Sequence, residues 1–403
     1  MNRRFPVVVT LAVLAAPAAP ALAQDCQVGQ GLGSSLLIPY FEVDTSSGSG
    51  VTTLFSVNNE SSSESLVRVV LWTDWGIPTL GFDVYLAPRD LQTFNLRDLL
   101  NGALPSTGAG VDLSGFQFCG GALAPDYPNP ALTAGERATL TAFHRGLPDP
   151  TGGPTEGLCA GEDYGDDIAR GFVTVDTVDE CSGVRLDKVW TPADSVYPYF
   201  ANAGGTRIGI VSNVLWGDWF IVNPGQDFAQ GAEAVPLWAD SGIFSSTDEL
   251  TFYGRFYGYA APDDRVPVPD LWSTRFLNGG PFSGGTELVV WRDVGTDEAD
   301  PIVCATRPSW WPLEESFLTA RDEAGENPVF LSSTNHFFLA AQRLPVDDLP
   351  IPYDFGRLQL GLADGPGLTN PRQGWVQTVM SAENRYSVGM AAAAINERCG
   401  VAP

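Results

Sequence analysis

Leu66-Val67-Arg68-Val69-Val70-Leu71-Trp72-Thr73-Asp74-Trp75 is the most regularly alternating stretch of the first half of the chain. At a period of two, Val67, Val69, Leu71, Thr73 and Trp75 share one face, and Arg68, Val70, Trp72 and Asp74 share the other. That is a β-strand with its first set turned toward a core. Gly76 and Pro78 end it, because proline cannot donate to a ladder. The last six residues recur almost unchanged as Val214-Leu215-Trp216-Gly217-Asp218-Trp219, and Pro39-Tyr40-Phe41 recurs ahead of them as Pro198-Tyr199-Phe200. The repeats suggest a duplicated strand-centred element, although the unequal spacing of the two phrases requires a large insertion or deletion.

On either side of it, Ser35–Asp44 and Thr52–Asn58 read as strands, and Phe82–Leu86 as another. Asn95 can cap one helical turn through Leu100, closed by Gly102. Arg137–Phe143 resumes strand character, and residues 146–161 are crowded with Pro, Gly and Thr, the pattern of a linker or long loop. Phe172–Val178, Ile208–Asn213, Val214–Val222, Leu250–Tyr259, Glu287–Val294, Val329–Leu339 and Trp375–Ser381 continue the strands, while Tyr386–Ile395 fits a strand or a short helix. With 44 Gly and 31 Pro between strand-sized runs, the expected fold is all-β. Its expected form is two β-sandwich-like halves, Ig-like or jelly-roll-like, with long loops and few short helices. The halves would be 24–145 and 162–403, joined by 146–161.

Residues 1–23 carry the marks of a signal peptide: a basic start at Arg3 and Arg4, an apolar run from Val7 to Ala16, and Ala21-Leu22-Ala23 as a cleavage signal. No later run approaches ~18 apolar residues, so no membrane span is expected in the mature chain. The expected location is periplasmic or extracellular. The formal charge is −26 and Lys188 is the one lysine, a balance that excludes nucleic acid as a partner, since phosphate binding needs basic clusters. All six cysteines follow the cleavage signal, and in an exported chain an even number argues for disulfides. Cys159–Cys181 would close a Gly- and Asp-rich loop and Cys26–Cys399 would tie the ends, with Cys119 and Cys304 remaining.

Chemistry is sparse. His144 and His336 are the two histidines, each read as structural, and H-E-x-x-H, G-x-S-x-G, P-loop and dinucleotide-binding patterns are absent. Asn59-Glu60-Ser61 fits a glycosylation triplet. Asp74 and Asp218, flanked by tryptophans, are the candidate catalytic pair if the protein is an enzyme, because a carboxyl held between rings can serve as a general acid. The competing reading makes each a strand-end Asp that accepts turn N–H bonds. Glu162, Asp163, Asp166 and Asp167 form an acidic loop, and Asp297, Glu298 and Asp300 another. Hard oxygen ligands suit calcium, although the D-x-D-x-D-G spacing is missing. Trp72 and Trp216, beside Asp74 and Asp218, have the composition of a sugar-binding surface, with core packing as the alternative.

Ser35–Asp44, Leu71–Pro78 and Asn213–Trp219, with Tyr253-Gly254-Arg255 and Ser309-Trp310-Trp311-Pro312, resemble a group of exported bacterial β-rich proteins of unknown function. The resemblance implies export and a shared fold, and it carries no activity. The leading expectation is a non-enzymatic binding or structural role at the cell envelope, with a carbohydrate or envelope protein as partner. The alternatives are a carboxylate-dependent polysaccharide hydrolase and a subunit of a surface assembly.

Overall fold

The computed structural model describes residues 31–107, 113, 115–116, 127–128, 131–179, 181, 209–239, 252–253, 264–279, 283–293, 301–304, 317–322, 328–332, 339–362, 373–382 and 386–394. The expected signal peptide, Cys26, Cys119, Cys399, His336, Pro198–Phe200, Asp297, Glu298, Asp300 and the Ser309–Pro312 phrase lie outside them.

The fold is all-β, with two α-helices among the described residues. In chain order the first strands are β1 (Ser35–Asp44), β2 (Thr52–Asn59), β3 (Ser65–Thr73), β4 (Pro78–Leu86) and β5 (Leu91–Asn95), then helix α1 (Leu96–Leu100). Next come β6 (Ser106–Thr107), β7 (Tyr127–Pro128), helix α2 (Ala134–His144), β8 (Leu158–Cys159), β9 (Ile168–Val178), β10 (Leu215–Asn223), β11 (Phe228–Glu233) and β12 (Val235–Leu237). The second set is β13 (Leu271–Leu277), β14 (Thr286–Arg292), β15 (Ile302–Val303), β16 (Phe317–Arg321) and β17 (Val329–Ser332). It ends with β18 (Ala341–Pro345), β19 (Phe355–Gly361), β20 (Gly374–Ala382), β21 (Tyr386–Ala391) and β22 (Ala393–Ala394).

These strands build four larger antiparallel sheets. One has the order β12-β1-β9-β3-β4 and a second β11-β10-β2-β5; β1 of the first lies against β2 and β10 of the second. The other two have the orders β17-β16-β19-β13-β22 and β18-β14-β20-β21, with β13 against β20. Residues 146–161 therefore divide nothing. β1 pairs with β9, β3 pairs with β9 and β2 pairs with β10, so strands from both sides of that loop are hydrogen-bonded within the same sheets. The first half runs to Leu237 instead of ending at 145.

One buried apolar cluster runs through both halves. At the seam the Trp72 ring stacks on Phe172 at 5.6 Å, Phe172 meets Trp291 edge-on, and Trp291 stacks on Phe252. Each such ring removes ~150–250 Å² from water. Charge also crosses the seam. Arg343 on β18 holds Glu42 on β1 at 3.1 Å and also pairs with Glu287, and buried Arg265 reaches Asp176 and Ser35.

Two local expectations meet different fates. Asn95 caps α1, its Oδ1 accepting the Arg97 N–H at 3.1 Å. Arg137–Phe143, expected as a strand, lies inside helix α2. Thr133 and Glu136 form a capping box there, each side chain bonding the other's backbone N–H, and that start signal outweighs the weak alternation after it.

Candidate functional site

The two copies of the tryptophan phrase occupy unlike positions. In the first, β3 ends at Thr73 and Asp74 begins the turn into β4. Gly76 sits there at φ 78°, a left-handed value that glycine adopts without Cβ strain. The turn is wedged into the seam. The Asp74 carbonyl accepts the Ala340 N–H at 2.7 Å, and Trp75 packs in a satellite cluster with Ile77, Phe143, Cys159, Ala160 and Leu339. Trp72 is 3% exposed, and its indole N–H donates to Thr174 at 2.8 Å. It is a core residue, so the sugar-stacking reading of Trp72 is overturned.

Asp74 is likewise 1% exposed. Its Oδ1 accepts the Glu162 N–H at 3.2 Å, and its Oδ2 has no hydrogen-bond partner. Gly161 passes so close that a Cβ there would come within 2.9 Å of Oδ1. Burial, with Glu162 nearby, raises the Asp74 pKa well above its ordinary value, despite the N–H bond and Arg170 pulling the other way. The carboxyl is sealed off, which removes its access to a substrate.

Asp218 lies instead in the middle of β10, opposite Ser56 on β2 and Glu233 on β11. Asp74 and Asp218 thus sit in different sheets, one in a turn and one mid-strand. The structure does not bring them together as a catalytic pair, and the duplication reading fails with them.

In the second copy, Leu215, Gly217, Trp219 and Ile221 turn inward, with Trp219 wholly buried, while Trp216, Asp218, Phe220 and Val222 turn outward. Register extends that face across the sheet. Leu91, Asn58 and Trp216 form one cross-strand row; Thr93, Ser56, Asp218 and Glu233 form the next. Asn95, Leu54, Phe220 and Gly231 form the third. Leu91 is 53% exposed, Phe220 42% and Leu54 37%. The Phe220 ring lies over Gly231, where a Cβ would meet it at 2.2 Å. Ser56 Oγ donates to Asp218 Oδ1 at 2.5 Å, fixing the carboxylate between the two apolar rows. Trp216 and Asp218 are expected from the sequence, whereas Phe220, Leu54 and Ser56 are not, although alternation through Leu215–Asn223 is a signal for Phe220.

Among the described residues the acidic loop brings together no group of metal ligands. Asp166 is held by both terminal nitrogens of Arg170, at 2.8 and 2.7 Å, and Asp167 pairs with Arg145. Asp163 accepts the Gly165 N–H and Glu162 gives its own N–H to Asp74. No group of three His, Cys, Asp or Glu among the described residues could hold a metal ion, so the calcium reading of Glu162, Asp163, Asp166 and Asp167 finds no support there. Local arginines take the charges a cation would have used. Arg170 also lies 4.2 Å from the Tyr164 ring centroid.

Cys159 bonds Cys304 and not Cys181. The β8–β15 ladder sets Ile302 opposite Cys159, bringing the 146–161 loop against the second half. Cys181 is disulfide-bonded as well. His144 is the structural residue expected, though on α2. Its Nδ1–H donates to the Arg170 carbonyl at 2.8 Å and its Nε2 meets Thr79 Oγ1 at 2.7 Å. Burial lowers its pKa to about 4. That favours the neutral ring, and the single Thr79 hydroxyl hydrogen then faces two acceptors, His144 Nε2 and the Leu71 carbonyl at 3.0 Å. The Asn59 amide donates to the Ser63 and Ala87 carbonyls and is buried, so the glycosylation triplet serves as a loop clasp.

The seam also encloses a recess lined by Trp72, Phe172, Thr174, Phe252, Trp291 and Asp293, of about 30 Å³. That admits one or two waters, far short of the ~300 Å³ at which ligand pockets begin. No helix among the described residues is long and apolar enough to cross a membrane. Compared with protein-family models, curated proteins and solved structures, the chain matches none.

Proposed function

We propose that this protein is an exported, non-enzymatic binding protein of the cell envelope that recognises glycan on the outer face of the β11-β10-β2-β5 sheet. In this reading each pair of five- and four-stranded sheets is a β-sandwich serving as scaffold. One observation carries it: Trp216, Asp218 and Phe220 alternate onto one open face, an aromatic ring on either side of an anchored carboxylate. Apolar sugar faces stack on rings, and sugar hydroxyls bond polar neighbours. The signal-peptide pattern supports export, and the Cys159–Cys304 disulfide is compatible with an oxidising compartment. The hydrolase alternative loses support with Asp74 sealed in the seam.

A glycan array tests the reading. The wild-type protein should bind at least one glycan class, and Trp216→Ala should lose that binding with its circular dichroism unchanged. A correctly folded wild type that binds no glycan overturns it.

A further inference from the structure

We infer that the ligand of this face is a neutral polysaccharide chain that lies along β10, with Asp218 as its central hydroxyl acceptor. This rests on the glycan reading above and narrows it.

The direction comes from the spacing of the rows. Trp216 and Phe220 are four residues apart on one side of one strand, or about 13 Å at the usual rise per residue. Across the sheet, neighbouring strands are only about 5 Å apart. Two ring platforms at that separation along the strand are met together by an extended chain parallel to it, whereas a single small sugar could reach only one.

The orientation of the middle row defines the hydrogen bonding. Ser56 spends its hydroxyl hydrogen on Asp218 Oδ1, and no described residue donates to Oδ2. A carboxylate held on one oxygen and open on the other is an acceptor for ligand O–H groups, and bonds to charged groups are the stronger kind. Thr93 and Glu233 extend the polar row on either side.

The charge of the face selects the ligand class. Its three rows hold the carboxylates of Asp218 and Glu233 and no Lys or Arg. Of the arginines at the ends of β5, Arg97 donates to the Gly48, Gly50 and Val51 carbonyls, and Arg89 lies off the three rows, in the turn before β5, beside Glu60 at 3.4 Å. On a chain of net charge −26, an anionic polysaccharide would meet repulsion with no Lys or Arg among the described residues of the three rows to offset it. A neutral chain meets rings and an acceptor.

Affinity electrophoresis of the full-length protein separates the outcomes, using gels containing neutral glucan, xylan or mannan, anionic alginate or polygalacturonate, and cationic chitosan. The expected result is retardation by at least one neutral polysaccharide, little changed by added salt, and none by the anionic ones. Phe220→Ala and Trp216→Ala should each weaken binding tenfold or more. Asp218→Asn should weaken it about tenfold, since it exchanges a charged acceptor for a neutral one. Retardation only by alginate, polygalacturonate or chitosan, abolished by salt, would overturn the neutral-chain inference and leave the glycan reading intact. Binding to neutral chains that survives Phe220→Ala in full would overturn the placement along β10. Failure to bind any polysaccharide, with the fold verified, would remove both.

Discussion

The two copies of the phrase Val-Leu-Trp-x-Asp-Trp show how little a short motif determines by itself. At Val70–Trp75 both tryptophans are buried and the aspartate is enclosed in a turn that docks on Ala340. At Val214–Trp219 one tryptophan is core, the other is half-buried, and the aspartate stands on an open face. The difference lies in what covers each strand. β3 is flanked by β4 and β9, and the Trp72 side of it meets Phe172, whose ring in turn touches Trp291 of the second half. Among the described residues, β10 has the other sheet against one face only. Identical residues therefore became a joint in one place and a surface in the other.

The two copies should differ most in stability at their first tryptophans, Trp72 and Trp216. Trp72→Ala should cost about 3–5 kcal/mol of folding stability, the usual range for a large ring lost from a core. Trp216→Ala should cost about 1 kcal/mol or less. Denaturant midpoints measured side by side decide this, and equal losses would refute the joint-and-surface distinction.

Removing the disulfide with Cys159→Ser and Cys304→Ser should cost about 2–5 kcal/mol. Hydrogen exchange localises the effect: the Ala340 amide, bonded to Asp74, should lose more protection than the amides of β10. Uniform loss throughout would show that the bond does not specifically fasten the first copy.

pH sharpens the contrast further. His144 stays neutral down to about 4, whereas the unfolded chain takes up its proton from 6.5. Its contribution is thus whole above 6.5 and is lost as pH falls through that window, amounting to about 3 kcal/mol. A stability profile of His144→Gln should lack that loss. Asp74 has the opposite sign. Its raised pKa means that the folded chain keeps a proton the unfolded one releases, so stability declines as pH rises past 3.8. Asp74→Asn should remove that decline.

Much of the fold was legible because alternation is a local signal. β1 appears where Ser35–Asp44 predicts it, and β2, β4, β9, β10, β14 and β20 fall on stretches with strand character. Tyr386–Ala391 resolves as a strand. α2 was missed although Thr133 and Glu136 announced it. Partnership was not legible: alternation states which residues share a face but not whether a second layer covers the other. Val67 and Val69 were rightly assigned to the core, yet Trp72 on the opposite side is buried too. The same blindness placed the domain boundary at 146–161 and paired Cys159 with a sequence neighbour, since β9, β10 and Cys304 reach their partners from far along the chain.

That distance has a consequence for the order in which the protein can form. Ser35, at the start of β1, bonds Asp176 across 141 residues, and β1's other neighbour is β12, ending at Leu237. A chain emerging from its N-terminus has β1 ready early, meets β9 only once Val178 has appeared, and meets β12 only when more than half of its length has appeared. Nascent β1, one of the most apolar stretches of the molecule, must wait unpaired. Long-range pairing of this kind folds slowly and leaves apolar edges open to wrong partners.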